Sequence, residues 1–164
     1  MYNITESNHI FLRDVIAYMG QTSFIFSGTL KDNITLWSKN ISVEILQNAI
    51  KDAELSELVA YRGLNTFINS SYPNLSAGEQ QRIELARVLV KQPKILLLDE
   101  ATANLDEITQ QKIISNLKKR RITIIQVAHR ISAIENCDVI HVLEFGKIIA
   151  SGTYRDLLAK QLIT

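Results

Sequence analysis

Ile95-Leu96-Leu97-Leu98-Asp99-Glu100 is the stretch that decides how this chain folds. Four consecutive apolar residues after Pro93 are too few for a helix, and the missing polar alternation suits a strand buried on both faces. The run ends in two adjacent carboxylates, Asp99 and Glu100. An isolated Asp-Glu after a strand is more often just a helix cap or a turn former. At the mouth of a buried strand, however, the pair repels itself, a cost that a metal ion or phosphate chemistry would offset.

Downstream of that run, Asp106 is placed to cap a helix burying Ile113, Ile114 and Leu117, and Ile122 to Val127 reads as another strand. Strand, helix and strand in succession imply a parallel sheet with a right-handed crossover, hence an α/β fold. Upstream, Val15 to Met19 forms a short strand running into Gly20-Gln21 and a turn-rich stretch around Ser27-Gly28. From Lys31 to about Ala60 the pattern is helical, with Ser42 as N-cap and Ile45, Leu46, Ala49, Ile50 and Ala53 as its apolar stripe. A loop containing Gly63, Asn69, Ser70, Ser71 and Pro73 leads to Ser76, which opens a helix carrying Ile83, Ala86 and Leu89. Towards the end, Val139 to Leu143 and Lys147 to Ala150 flank Glu144-Phe145-Gly146 as a hairpin, and Tyr154 to Lys160 forms the last helix.

Composition narrows the possibilities. With 164 residues, 46% hydrophobic and 21% charged, the chain suits one globular domain and not a disordered tail. Eighteen Lys and Arg against 17 Asp and Glu leave a formal charge of +1, so no global field points to nucleic acid or an anionic membrane. The basic run Lys118 to Arg121 falls where a helix ends and complements its dipole. Cys137 has no second cysteine to pair with and suits a reducing compartment. No stretch approaches the ~18 uninterrupted apolar residues of a membrane-spanning helix, so this chain alone is expected in the cytosol, reaching a membrane through a partner or a missing segment.

Ligands of open parallel sheets bind beyond the C-terminal strand ends, where Gln21, Asp99, Glu100 and His129 should converge. An amide, two carboxylates and an imidazole suit metal-assisted attack of water on a phosphoryl group. Asp99 would hold Mg²⁺ through water, Glu100 would orient or deprotonate the attacking water, and His129 would donate to the phosphate, although a lone histidine there is more often structural. In Asn74-Leu75-Ser76-Ala77-Gly78-Glu79-Gln80-Gln81-Arg82, a serine and a glycine stand at a helix start, where free N–H groups attract anions. Ser76 and Glu79 also spell a Ser-x-x-Glu capping box, so phosphate binding and helix capping both remain open.

Together these motifs resemble the ATPase domain of ABC (ATP-binding cassette) exporters. Gln21 with Phe26 to Ile34 is similar to the Q-loop segment, Leu75 to Glu79 to the signature motif, and Ile95 to Glu100 to the Walker B strand. Ala103-Asn104-Leu105-Asp106 resembles the D-loop and Ala128-His129-Arg130 the switch histidine, and the similarity runs on to Gly152-Thr153. The resemblance implies a partial P-loop NTPase (RecA-like) parallel sheet with an inserted helical subdomain. Residues 1–30 would be the Q-loop strand and loop, 31–90 the helical subdomain with the signature, and 91–164 the core with Walker B, D-loop and switch histidine. It implies ATP and Mg²⁺ as cofactors, with Glu100 and His129 catalytic. Gln21, Ser76, Gly78, Asp99 and Asp106 would serve the nucleotide, and Asp99 and Gln21 the metal. The implied partners are a second nucleotide-binding domain, apposed head to tail, and an ABC transmembrane domain at the cytoplasmic face of the cell membrane.

Two departures stand out. The commoner signature is Leu-Ser-Gly-Gly-Gln, where this chain has Ala77 and Glu79. Glu79 is acidic beside a phosphate site unless it turns back to cap its helix. More consequentially, the sequence contains no Gly-x-x-x-x-Gly-Lys-Ser/Thr, the Walker A loop whose N–H groups and lysine cradle phosphates. Its Gly-Lys pair, Gly146-Lys147, is followed by Ile148 and preceded by His141 where the first glycine belongs. Losing roughly four charge-assisted hydrogen bonds at ~1.5–3 kcal/mol each removes at least ~6 kcal/mol of binding, more than four decades of affinity.

The expectation is therefore the C-terminal part of an exporter ATPase domain, separated from its Walker A segment by a gene break, a misplaced start or a split gene, and inactive alone. The family places the P-loop strand centrally, so apolar faces of the sheet should be exposed. The alternative is a noncatalytic interaction module that completes a partner's ATP site through Ser76 and Gly78. A DNA-repair ATPase of the same superfamily would insert long coiled coils, which this sequence lacks.

Overall fold

The Ile95–Asp99 run is the middle strand of a three-stranded sheet in the computed structural model, which describes Leu12, residues 14–128 and residues 130–163. The chain divides into two units between Val127 and Ala128. In chain order the first unit contains β1 (Ile16–Met19), β2 (Gly28–Thr29), α1 (Leu30–Thr35), α2 (Val43–Asp52), α3 (Ser56–Arg62) and β3 (Phe67–Ile68). These are followed by α4 (Ala77–Leu89), β4 (Ile95–Asp99), α5 (Glu107–Lys119) and β5 (Thr123–Val127).

The sheet order is β1-β4-β5 and both pairings are parallel, as the strand-helix-strand succession predicts. Register sets Tyr18 beside Leu97, Leu97 beside Ile125, and Asp99 beside Val127. Because side chains alternate along a strand, Ala17, Met19, Leu96 and Leu98 share one face. All four are buried in a core with Ile83, Leu85 and Leu89 of α4 and Ile113 and Leu117 of α5.

The opposite face departs from the expectation drawn from the apolar run. Ile95 and Leu97 are only half-buried, while Tyr18, Ile125 and Val127 remain 59%, 57% and 54% exposed. An unbroken run of apolar residues is compatible with cover on both faces but does not supply it. Among the described residues this face of the sheet is apolar and exposed. Ile114, expected in the core, is likewise only half-buried.

The helical stretch is built of three helices. Thr29 and Asp32 form a reciprocal cap at the start of α1, and Leu36, in the left-handed region at φ 50°, ends it. Trp37 follows at φ 59°, so the chain turns before Ser42, whose hydroxyl accepts from the Ile45 N–H at 3.2 Å and opens α2. The loop expected after Gly63 contains β3, which pairs antiparallel with β2. In α4, Ile83, Ala86 and Leu89 are fully buried, as their spacing predicts. Arg120, from the basic run, caps the end of α5 and pairs with Asp52 at 2.5 Å.

The second unit holds α6 (Ile131–Ile134), β6 (Ile140–Glu144), β7 (Lys147–Gly152) and α7 (Tyr154–Ala159). Strands β6 and β7 form the expected antiparallel hairpin. Its turn places Phe145 at φ 47° and Gly146 at φ 75°, the positive pair that two-residue hairpin turns need. Gly146-Lys147 is thus turn chemistry, unrelated to a phosphate loop.

Candidate functional site

Two groups of predicted residues are built by the first unit. The first lies at the C-terminal ends of β1 and β4. Asp99 closes β4, half-buried, and accepts a hydrogen bond from the Tyr18 hydroxyl at 3.1 Å. That bond, with lesser contributions from desolvation and the Asp99 charge, raises the Tyr18 pKa above its ordinary value, so the phenol stays a neutral donor.

Glu100 leaves the strand in the left-handed region at φ 50°, a conformation costing a non-glycine residue roughly 1 kcal/mol. Its backbone N–H donates to the Val127 carbonyl at 3.1 Å, and its carbonyl accepts from Ala103 at 3.1 Å, fixing the turn. Its carboxylate accepts from the Gln21 side-chain amide at 3.0 Å. The two segments, 79 positions apart, are thus joined at the site. Backbone strain at a polar strand end is characteristic of functional positions.

The donor set fits a hard cation. Asp99, Glu100 and the Gln21 amide offer oxygen ligands, which suit Mg²⁺. Among the described residues no group of three or more His, Cys, Asp and Glu forms a cage by itself. A cation at Asp99 would therefore complete its shell from water and phosphate oxygens, as Mg²⁺ commonly does.

The second group surrounds the start of α4. Ser76 accepts from the Glu79 N–H at 3.2 Å, and the Glu79 carboxylate accepts from the Ser76 N–H at 2.7 Å. The capping box is formed, and Glu79 turns onto its own helix start. Gly78 has a separate reason to lack a side chain: a Cβ there would lie 3.2 Å from the Asn104 carbonyl and 3.4 Å from Leu105 Cδ2. The signature-like and D-loop-like segments are packed together. Asp106 caps α5, accepting from the Thr109 N–H at 2.9 Å. Its pKa is lowered first by hydrogen bonds from the Thr109 backbone and side chain, with a smaller contribution from the Arg82 charge.

Two residues that sequence reasoning missed belong here. Tyr18 touches Asp99 only because the β1–β4 register puts both on one face. Gln81 is buried, and its side-chain oxygen accepts from the Asn104 N–H at 3.2 Å, tying α4 to the D-loop-like segment. Its place among the polar residues of an amphipathic helix carried no such signal. His129 lies outside the described residues.

Residues 2–103 match the sequence family described as ABC transporter. The chain is 41% identical over 159 residues to a Rickettsia conorii protein whose name gives it as an export ATP-binding/permease protein; the match covers 94% of this chain and 28% of that one. It is 43% identical over 152 residues to the lactococcin-A transport/processing ATP-binding protein of Lactococcus lactis, covering 91% of this chain and 21% of that one. Among solved structures, that of a bacterial Atm1-family ABC exporter with ATP bound superposes with a TM-score of 0.88 at 35% identity. This superposition covers 96% of the present chain and 28% of the exporter. The chain thus spans about a quarter of the length of such relatives.

Proposed function

The chain belongs to the ABC transporter family, and from that premise we propose that it supplies the water-activating and partner-facing parts of an exporter's ATP-hydrolysing site. The observation that carries this is the contact between Gln21 and Glu100 at 3.0 Å, beside Asp99 at the end of β4. In an assembled site Glu100 accepts the proton of the attacking water or orients it. Gln21, already bonded to that carboxylate, holds it in place and carries its displacement into the segment that follows. Asp99, held by Tyr18, and Gln21 would hold Mg²⁺, whose chemistry is to neutralise charge developing on the phosphoryl oxygens.

Ser76 and the N-terminal N–H groups of α4 serve ATP held by an opposed nucleotide-binding domain, with Gly78 allowing close approach and Asp106 facing the interface. His129 senses the departing phosphate. The phosphate cradle comes from residues outside these 164. A fused or separate transmembrane domain at the cytoplasmic face of the membrane receives the motion.

The test is reconstitution with a polypeptide bearing the Walker A half of such a domain. Phosphate release in the mixture, abolished by Glu100→Gln while ATP binding persists, is the expected result. ATP binding without turnover in the wild-type mixture would replace this assignment with that of a noncatalytic module.

A further inference from the structure

Helix α4 grips the segment that follows Gln21 through two side chains one turn apart. The Glu84 carboxylate accepts from the Phe24 N–H at 3.3 Å, and the Arg87 guanidinium donates to the Phe24 carbonyl at 2.8 Å. Both peptide groups of Phe24, three residues beyond Gln21, are thus held by one helix. Arg87 reaches further: its Nε donates to the Asn33 carbonyl at 2.7 Å, and its guanidinium lies 5.1 Å from the centre of the Phe26 ring.

Asn33, fully buried, closes the arrangement. Its side-chain oxygen accepts from the Phe26 N–H at 2.8 Å, and its amide donates to the Phe26 and Thr29 carbonyls at 2.9 and 3.1 Å. The Phe26 ring meets Trp37 edge-on, with centroids 6.1 Å apart.

Burying a guanidinium is costly unless its donors are satisfied. Arg87 is 7% exposed, and its two carbonyl bonds both go to the segment between Phe24 and Asn33. A helix needing only core packing at this point would carry an apolar residue. We propose that Glu84 and Arg87 are positioning residues that lock residues 24–33 onto α4, so that a displacement of Gln21 moves the helix opened by Ser76. This rests on the assignment of Gln21 and Ser76 to one ATPase cycle, but the clamp itself can be read without nucleotide.

Hydrogen exchange of the 164-residue chain, resolved to short peptides, is the primary test. Arg87→Met is expected to speed exchange of the amides between Ile25 and Thr35 tenfold or more, leaving β4 amides unchanged. Arg87→Lys, which keeps the charge but not the fork, should give a smaller increase in the same segment. Trp37, the single tryptophan, should change its emission in both variants.

Should Arg87→Met fail to fold, Arg87→Lys and Glu84→Ala, which removes the acceptor for the Phe24 N–H, give the same reading. An unchanged 25–35 segment, or a rise spread evenly over the whole unit, would overturn the proposal. In the reconstituted ATPase, Arg87→Lys should lower kcat severalfold with KM for ATP unchanged; equal effects on both parameters would count against positioning. Absence of turnover in the wild-type mixture would sink the functional assignment while leaving the exchange result to decide the clamp.

Discussion

Replacing Gly78 by alanine sets two effects of known size against each other. In a helix interior, Gly→Ala stabilises by up to ~1 kcal/mol, and somewhat less at the second helical position, where Gly78 stands. The added Cβ would lie 3.2 Å from the Asn104 carbonyl, closer than ordinary contact, and 3.4 Å from Leu105, at its lower limit. Asn104 cannot retreat freely, because its N–H is held by buried Gln81 at 3.2 Å and Leu105 is tied to Thr102 within the turn. Overpacking of this kind costs ~1–3 kcal/mol, so a net loss of about 1 kcal/mol is expected. With a urea slope of ~2 kcal/mol per molar, the unfolding midpoint should fall by about 0.5 M.

The same substitution in a Gln81→Ala background frees Asn104 and should cost less, giving a coupling of ~0.5 kcal/mol or more. A midpoint that rises on Gly78→Ala, with no coupling to Gln81, would refute the close approach of the two segments.

Further expectations follow from the site. Ser76→Ala removes half of the capping box and should cost ~1 kcal/mol in urea unfolding, whereas Glu79→Gln keeps an acceptor for the Ser76 N–H and should stay within ~0.5 kcal/mol. Because Asp106 has a folded pKa lowered by its Thr109 bonds, the stability it contributes is present above the ordinary aspartate pKa near ~3.9 and is lost as pH falls through the folded value. Asp106→Asn, still a good cap, should flatten that acid limb of an unfolding-versus-pH profile. Tyr18→Phe should leave the unfolding midpoint unchanged but raise the Mg²⁺ concentration needed for half-maximal turnover in the reconstituted ATPase severalfold.

What could be read in the sequence was local. The caps at Ser42, Ser76 and Asp106 were visible because a cap is decided by a residue and its neighbours three positions on. The β4 strand and the hairpin turn at Phe145-Gly146 were equally self-contained. What escaped depended on register or on distant partners. The left-handed break at Leu36 and Trp37 places bulky residues where glycine or asparagine would be the signal. The β2–β3 ladder joins two dipeptides, too short for periodicity to register. Arg87 looks like a helix-surface charge until the Phe24 and Asn33 carbonyls are brought to it from 63 and 54 positions away. For Glu79, sequence left capping and phosphate contact open; the formed cap shows how an acidic residue is accommodated at this helix start.

The central claim is that these 164 residues carry the water-activating and partner-facing groups of an ATP site but no phosphate cradle. Calorimetric titration of Mg-ATP measures this most directly, first into the chain alone and then into its mixture with a Walker A-bearing polypeptide. No specific heat is predicted for the chain alone, with saturable binding appearing in the mixture. Micromolar affinity of the isolated chain for Mg-ATP would contradict the claim.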